Sequence, residues 1–164
     1  MKLILSAAAL ACGLMTAVTA HAADYAVIRL ESTVDAPIEH TWSKVGGYCQ
    51  IDAWFKRAAP CIMTSGEGGV GSVRKLGPTG AVVEIEVAAT RYSYTYTQAA
   101  TTILYHGTLA AEPLDGGKKT RLLYTIFYDQ EPDGTPEAKD KDRANRTATF
   151  TGALADMKIL AEAK

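Results

Sequence analysis

Six strand-like stretches follow one another between residues 61 and 129, separated only by glycine- and proline-bearing turns, and one long helical pattern follows the last. Consecutive strands with short connections make an antiparallel meander. The stretches run 61–64, 72–76, 81–89, 91–97, 104–112 and 120–129, with turns at 66–71, 77–80 and 114–117. A seventh strand, 25–34, opens the pattern with β-branched residues in partial alternation. Two short helices follow it. The first runs from Pro37 to about Val45, with Asp35 as a cap and Glu39 at the positive end, and stops at Gly46-Gly47. The second covers 50–55. Pro132, Gly134 and Pro136 close the strand region, and only Gly152 interrupts helix-forming residues over 137–163. Phe150, Ala153, Met157 and Leu160 repeat there at helical spacing. A curved seven-stranded sheet needs a cover on its concave face, and this helix is the only element long enough. The expected fold class is α+β, a seven-stranded curved antiparallel sheet around a long C-terminal helix, with two short helices after strand one.

The first 22 residues carry a different message. Lys2, an apolar run from Leu3 to about Val18 and the closing Ala20-His21-Ala22 have the three parts of a cleavable export signal. The apolar run is shorter than the roughly 20 residues that span a bilayer, so cleavage after Ala22 is expected rather than retention. Cys12 raises a lipid-anchored alternative, weakened because Ala9 stands where leucine is preferred and a cut there leaves too short an apolar run. Residues 23–164 then form one expected domain, periplasmic or secreted, without stable membrane insertion. With 17 basic and 18 acidic residues overall, the charge balance gives no reason to expect nucleic acid as a partner. Cys49 and Cys61 survive cleavage, and an even pair in an oxidising compartment favours a disulfide over two free thiols. Such a loop stabilises by about 3 kcal/mol in the chain-entropy picture. No Cys-x-x-Cys occurs, and His40 and His106 stand alone, so no metal or other cofactor is expected. The glycine-rich run 66–71 lies between strands and lacks a following helix, which excludes a phosphate loop.

Several pieces, in this order and spacing, resemble the START-like (SRPBCC) superfamily. Within it they resemble the bacterial polyketide cyclase/dehydrase type, related to plant abscisic-acid receptors and birch-pollen-allergen-like proteins. They are Val34-Asp35-Ala36-Pro37 leading to Trp42-Ser43-Lys44-Val45, then Trp54-Phe55-Lys56 and Gly71-Ser72-Val73-Arg74. Val83-Glu84, Arg91-Tyr92-Ser93-Tyr94, Tyr105-His106-Gly107-Thr108 and Thr151-Gly152-Ala153-Leu154 complete the set. The resemblance implies a helix-grip fold with a deep apolar cavity between sheet and C-terminal helix. Members bind lipids, sterols, hormones, polyketides or alkaloid precursors, and some catalyse cyclisation, dehydration or condensation. Two departures bear on the cavity: a short 84–94 hairpin, and Tyr124 where tryptophan is common.

The candidate ligand-binding set is Lys56, Arg74, Glu84, Tyr92, Tyr94, Tyr96, Tyr105, Phe127, Asp129, Phe150, Ala153 and Met157. Tyr92, Tyr94 and Tyr96 share a strand face and offer apolar rings with polar tips, although a wet outer face would explain them too. The resemblance places Tyr94 and Tyr105 inward, gives Asp129 a pocket position and sets Lys56 against a ligand acid. Glu84 poses a conflict. Alternation puts Val83, Ile85 and Val87 inside, whereas the resemblance puts Glu84 inside; a bulge or register change would be needed to reconcile them. A buried Glu84 would have a raised pKa, which a neighbouring Arg74 would oppose. Glu84, His106 and Asp129 are the candidates for proton transfer, His106 being more often a surface residue in such a place. Three readings remain: a carrier or sensor for an apolar, aromatic or polycyclic small molecule; a cyclase-, dehydratase- or lyase-like enzyme; and an interaction module with a filled core. The oligomeric state is open.

Overall fold

The computed structural model describes residues 23–163, so the expected export signal lies outside the described residues. The chain forms β1 (Tyr25–Val34), α1 (Ile38–Val45), α2 (Ile51–Trp54) and a 3-10 turn (Lys56–Ala58). Then come β2 (Cys61–Ser65), β3 (Val73–Leu76), β4 (Val82–Thr90), β5 (Ser93–Gln98), β6 (His106–Leu114), β7 (Lys119–Asp129) and α3 (Pro136–Glu162). One antiparallel sheet has the order β1-β7-β6-β5-β4-β3-β2. The expected meander and covering helix are both present. Cys49 and Cys61 are bonded, with Cα atoms 5.5 Å apart, which ties the start of β2 to the turn before α2.

β7 explains how the sheet chooses its inner face. Thr120, Leu122, Tyr124, Ile126 and Tyr128 are buried and alternate with partly exposed residues, the period-two signature of a sheet with one covered side. Its central place between β1 and β6 carries that face to both neighbours: Ile28 pairs with Ile126, and Leu109 with Tyr124. Both Ile28 and Leu109 are buried.

α3 begins where Thr135 Oγ1 accepts the Ala138 N–H at 3.2 Å and Pro136 occupies the first turn, a favourable start for both reasons. Its buried stripe is Phe150, Ala153, Leu154, Met157 and Ala161; Leu160 packs at the edge of it. Both ends are pinned. Near the start, the Gln130 side chain donates to the Lys139 carbonyl at 2.9 Å and accepts from Arg143 at 2.7 Å. At the other end, Glu162 Oε1 accepts from the Asp35 N–H and from Lys158 Nζ, each at 2.7 Å, while Lys158 also donates to the Thr33 carbonyl. The helix is therefore held like a beam over the sheet. Its middle does not have to touch the floor.

Two consequences can be measured. Gly152 sits on the exposed side of α3, and a Cβ there meets nothing within 4 Å. Gly152→Ala should therefore raise stability by about 0.5–1 kcal/mol, read from the urea midpoint. The second concerns pH. The Lys119 ammonium holds the Asp35 carboxyl below its ordinary value, and the Asp35 N–H and Lys158 do the same for Glu162. A carboxyl with a lowered folded pKa adds stability above its unfolded pKa and loses it as the pH falls. Unfolding midpoints should thus drop as the pH falls through about 4 and below, and Glu162→Gln should flatten that dependence.

Candidate functional site

Beneath the middle of α3 the sheet and helix part to leave a cavity of about 360 Å³, within the usual ~300–1,000 Å³ of small-molecule sites. Its sheet side is Glu84, Tyr96, Gln98 and Tyr105; its roof is Ile51, Phe55, Ala58 and Phe150; its mouth lies between Arg57 and the turn from Gly77 to Ala81. The wall is mostly apolar, so the cavity favours a guest whose surface is largely hydrocarbon or aromatic.

The polar part of the floor is built on Arg74, which has no exposed surface. Strand register explains its partner: Arg74 pairs with Glu84 across β3–β4, and Glu84 pairs with Gln98 across β4–β5. Arg74 Nε donates to Glu84 Oε2 at 2.8 Å, and Nη2 approaches the same oxygen at 2.6 Å. Arg74 Nη1 donates to the Tyr48 carbonyl. The guanidinium carbon lies 4.1, 4.9 and 5.6 Å from the ring centres of Tyr48, Tyr96 and Tyr94, so aromatic faces surround the cation. Gln98 donates to the other Glu84 oxygen at 3.4 Å. Burial pushes the Glu84 carboxyl upward, with the guanidinium pulling against it.

That pair resolves the conflict over β4. Glu84 and Glu86 are buried, while Val83 and Ile85 are half-exposed and Val87 is 42% exposed. Hydrophobic alternation therefore points the wrong way in this strand, because a buried arginine left without its acid would cost more than a few exposed methyl groups gain. A register shift between Glu86 and Ala88 follows at once, ending the inverted stretch with a bulge.

Tyr96 Oη and Tyr124 Oη are 2.7 Å apart, and the Tyr124 ring lies tilted at 36°, 4.8 Å from Phe150 in the roof. Tyr96 fits only because residue 107, opposite it on β6, is glycine; a Cβ there would lie 2.3 Å from the phenol. Burial raises the pKa of Tyr96, Tyr105 and Tyr124 far above the ordinary phenol value. These phenols act as neutral hydrogen-bonding groups.

Of the expected ligand-binding residues, Glu84, Tyr96, Tyr105 and Phe150 line this cavity. Arg74 lies beneath the floor and Tyr94 beyond it, buried, lining a different pocket. The others are placed elsewhere. Tyr92 precedes β5 and donates to Glu39 at the surface. Lys56 is exposed and donates to the Ala53 carbonyl, so that Arg57, its neighbour in the 3-10 turn, reaches the mouth instead. Phe127, Asp129 and His106 are on the convex face, because Tyr105, Ile126 and Tyr128 point inward and neighbours on a strand must point out. There Phe127 stacks on Tyr25 at 4.8 Å and lies 6.1 Å from His106, and Asp129 accepts the Glu131 N–H. Met157 and Ala153 are buried packing, and Ala153 also borders a separate surface pocket. Gln98, Phe55 and Arg57 were not anticipated. For Gln98 a signal existed, since it shares the strand face of Tyr94 and Tyr96.

A sheet closed by one helix over an apolar hollow defines the class, and comparison supplies the family. Residues 25–162 match the family described as polyketide cyclase / dehydrase and lipid transport. The chain belongs to that family. Among curated proteins none matches in sequence. Solved structures share the fold at low identity. The Zhui aromatase/cyclase of Streptomyces has a TM-score of 0.68 at 19% identity, over 85% of this chain and 94% of that one. A protein from Nitrosospira multiformis has 0.65 at 20% identity, over 82% and 94%. Ara h 8.0201 has 0.60 at 17% identity, over 84% and 98%.

Proposed function

We propose that this protein is an exported binding or carrier protein, periplasmic or secreted, for an apolar small molecule with aromatic or polycyclic character. One observation supports binding over catalysis. The single acid in the cavity, Glu84, is already engaged at both oxygens by Arg74 and Gln98, and the other two candidates for proton transfer are on the opposite face of the sheet. A general acid or base needs a free proton site within hydrogen-bond reach of the substrate. The export signal read in the sequence supports a role outside the cytoplasm.

A cyclase- or dehydratase-like reading draws on the upward push on Glu84 and on the likeness to an aromatase/cyclase. It requires a substrate that displaces Gln98 from Glu84. Native mass spectrometry of the mature protein from its own host separates these readings. The binding reading expects one small molecule to leave with the protein and to return chemically unchanged after rebinding. Conversion of that molecule by the protein, lost in Glu84→Gln, would overturn it.

A further inference from the structure

A second pocket, of about 290 Å³, lies past the Arg74–Glu84 pair under the glycine-rich turn. Its charge differs from that of the first, where Glu84 is matched by basic residues. Arg57 stands at the mouth of the first cavity, whereas the second is lined by two acids, Glu67 and Glu86, and by no basic residue. Glu86 is 3% exposed and forms no salt bridge among the described residues. The one hydrogen bond to its carboxylate comes from the Gly69 N–H to Oε2 at 2.9 Å. Arg74, whose charge acts on Glu86, forms its salt bridge with Glu84 instead. Backbone bonds of 2.8 and 2.9 Å, from Gly71 to Glu86 and from Glu86 to Ser72, clamp the glycine turn beside this carboxylate.

Three aromatic residues share the remaining walls with glycines and the small side chains of Ala89, Thr90 and Ser93. Trp42, Tyr48 and Tyr94 line the pocket, with the Trp42 and Tyr94 ring centres 6.2 Å apart at 55° and Tyr48 edge-on to Tyr94 at 5.4 Å. The Trp42 ring lies on Gly46, where a Cβ would come within 2.3 Å of the indole. A buried carboxylate with no salt-bridge partner gains from a cation that meets it, and aromatic ring faces attract ammonium groups through the ring quadrupole.

We propose that this pocket binds a small organic cation, an alkylammonium or quaternary ammonium head, with Glu86 as its counter-ion and Trp42 and Tyr94 as its walls. The site is separate from the apolar cavity and does not depend on what that cavity holds. The probes are choline and its uncharged tert-butyl analogue, titrated while backbone amide and indole signals are followed by NMR. The expected result is saturable movement of the Gly68, Gly69 and Trp42 signals with choline and none with the analogue. Glu86→Gln should weaken choline at least about tenfold, the scale of a lost charge-assisted contact. Thr90→Arg tests the same charge without touching the core, because Thr90 lines the pocket and is exposed; the added cation should weaken choline by a similar factor. Equal binding of the uncharged analogue would overturn the proposal. So would indifference of choline to both substitutions, signal changes confined to Tyr105 and Phe150, or no saturation by millimolar choline.

Discussion

Arg74→Met should destabilise the protein by roughly 3–5 kcal/mol, as removal of one partner of a buried ion pair does. The reason is what remains. Glu84 would stay at 3% exposure with only a long contact from Gln98, and the rings of Tyr48, Tyr94 and Tyr96 would lose the cation they surround. Glu84→Gln should also be costly, because the amide can still accept from Arg74 but leaves the buried guanidinium without its paired charge. The double replacement Arg74→Met with Glu84→Leu should recover most of the loss, since an apolar pair leaves no orphaned charge. Urea unfolding of Arg74→Met, Glu84→Leu and the double replacement, analysed as a double-mutant cycle, checks this. Near-additive losses would mean that the pair does not set the register of β3 and β4.

Gly107→Ala should damage binding more than folding. The new methyl group would lie 2.3 Å from the Tyr96 phenol, and the ring, trapped on a central strand, has one open direction, into the cavity. That movement would break the 2.7 Å contact with Tyr124 and fill space a ligand needs. Overpacking of this kind costs about 1–3 kcal/mol. Affinity for any cavity ligand should fall by an order of magnitude or more. Tyr96→Phe in the Gly107→Ala background should not restore it, because the ring rather than the hydroxyl obstructs. Unchanged affinity in Gly107→Ala would show that the guest sits elsewhere.

The strand order was legible because turns announce themselves: 66–71, 77–80 and 114–117 break the chain where the sheet reverses. The long helix was legible for the opposite reason, a lack of breakers after Pro136. The faces of β4 were not legible. Val83, Ile85 and Val87 give the stronger local signal, and what overrules them is an arginine ten residues earlier in the chain that no periodicity reveals. His106, Phe127 and Asp129 are different, because placing Tyr105 and Tyr124 inward already sends their odd-numbered or adjacent neighbours outward. Likeness to family positions competed with simple alternation there, and alternation decides. The choice between Lys56 and Arg57 depends on a 3-10 turn of three residues, too short to carry a pattern. The second pocket had no linear signal. Trp42, Glu86 and Tyr94 come from a helix and two strands, and only the folded register brings them together.

The proposed function requires a usable hollow between sheet and helix. Ala81 is exposed at its mouth, so Ala81→Trp should plug the opening without disturbing packing. Equilibrium titration with anilinonaphthalene sulfonate, monitored by fluorescence, is the direct test. Saturable binding by the unaltered protein, lost in the equally stable Ala81→Trp variant, is the predicted result; identical binding by both, or none by either, would contradict it.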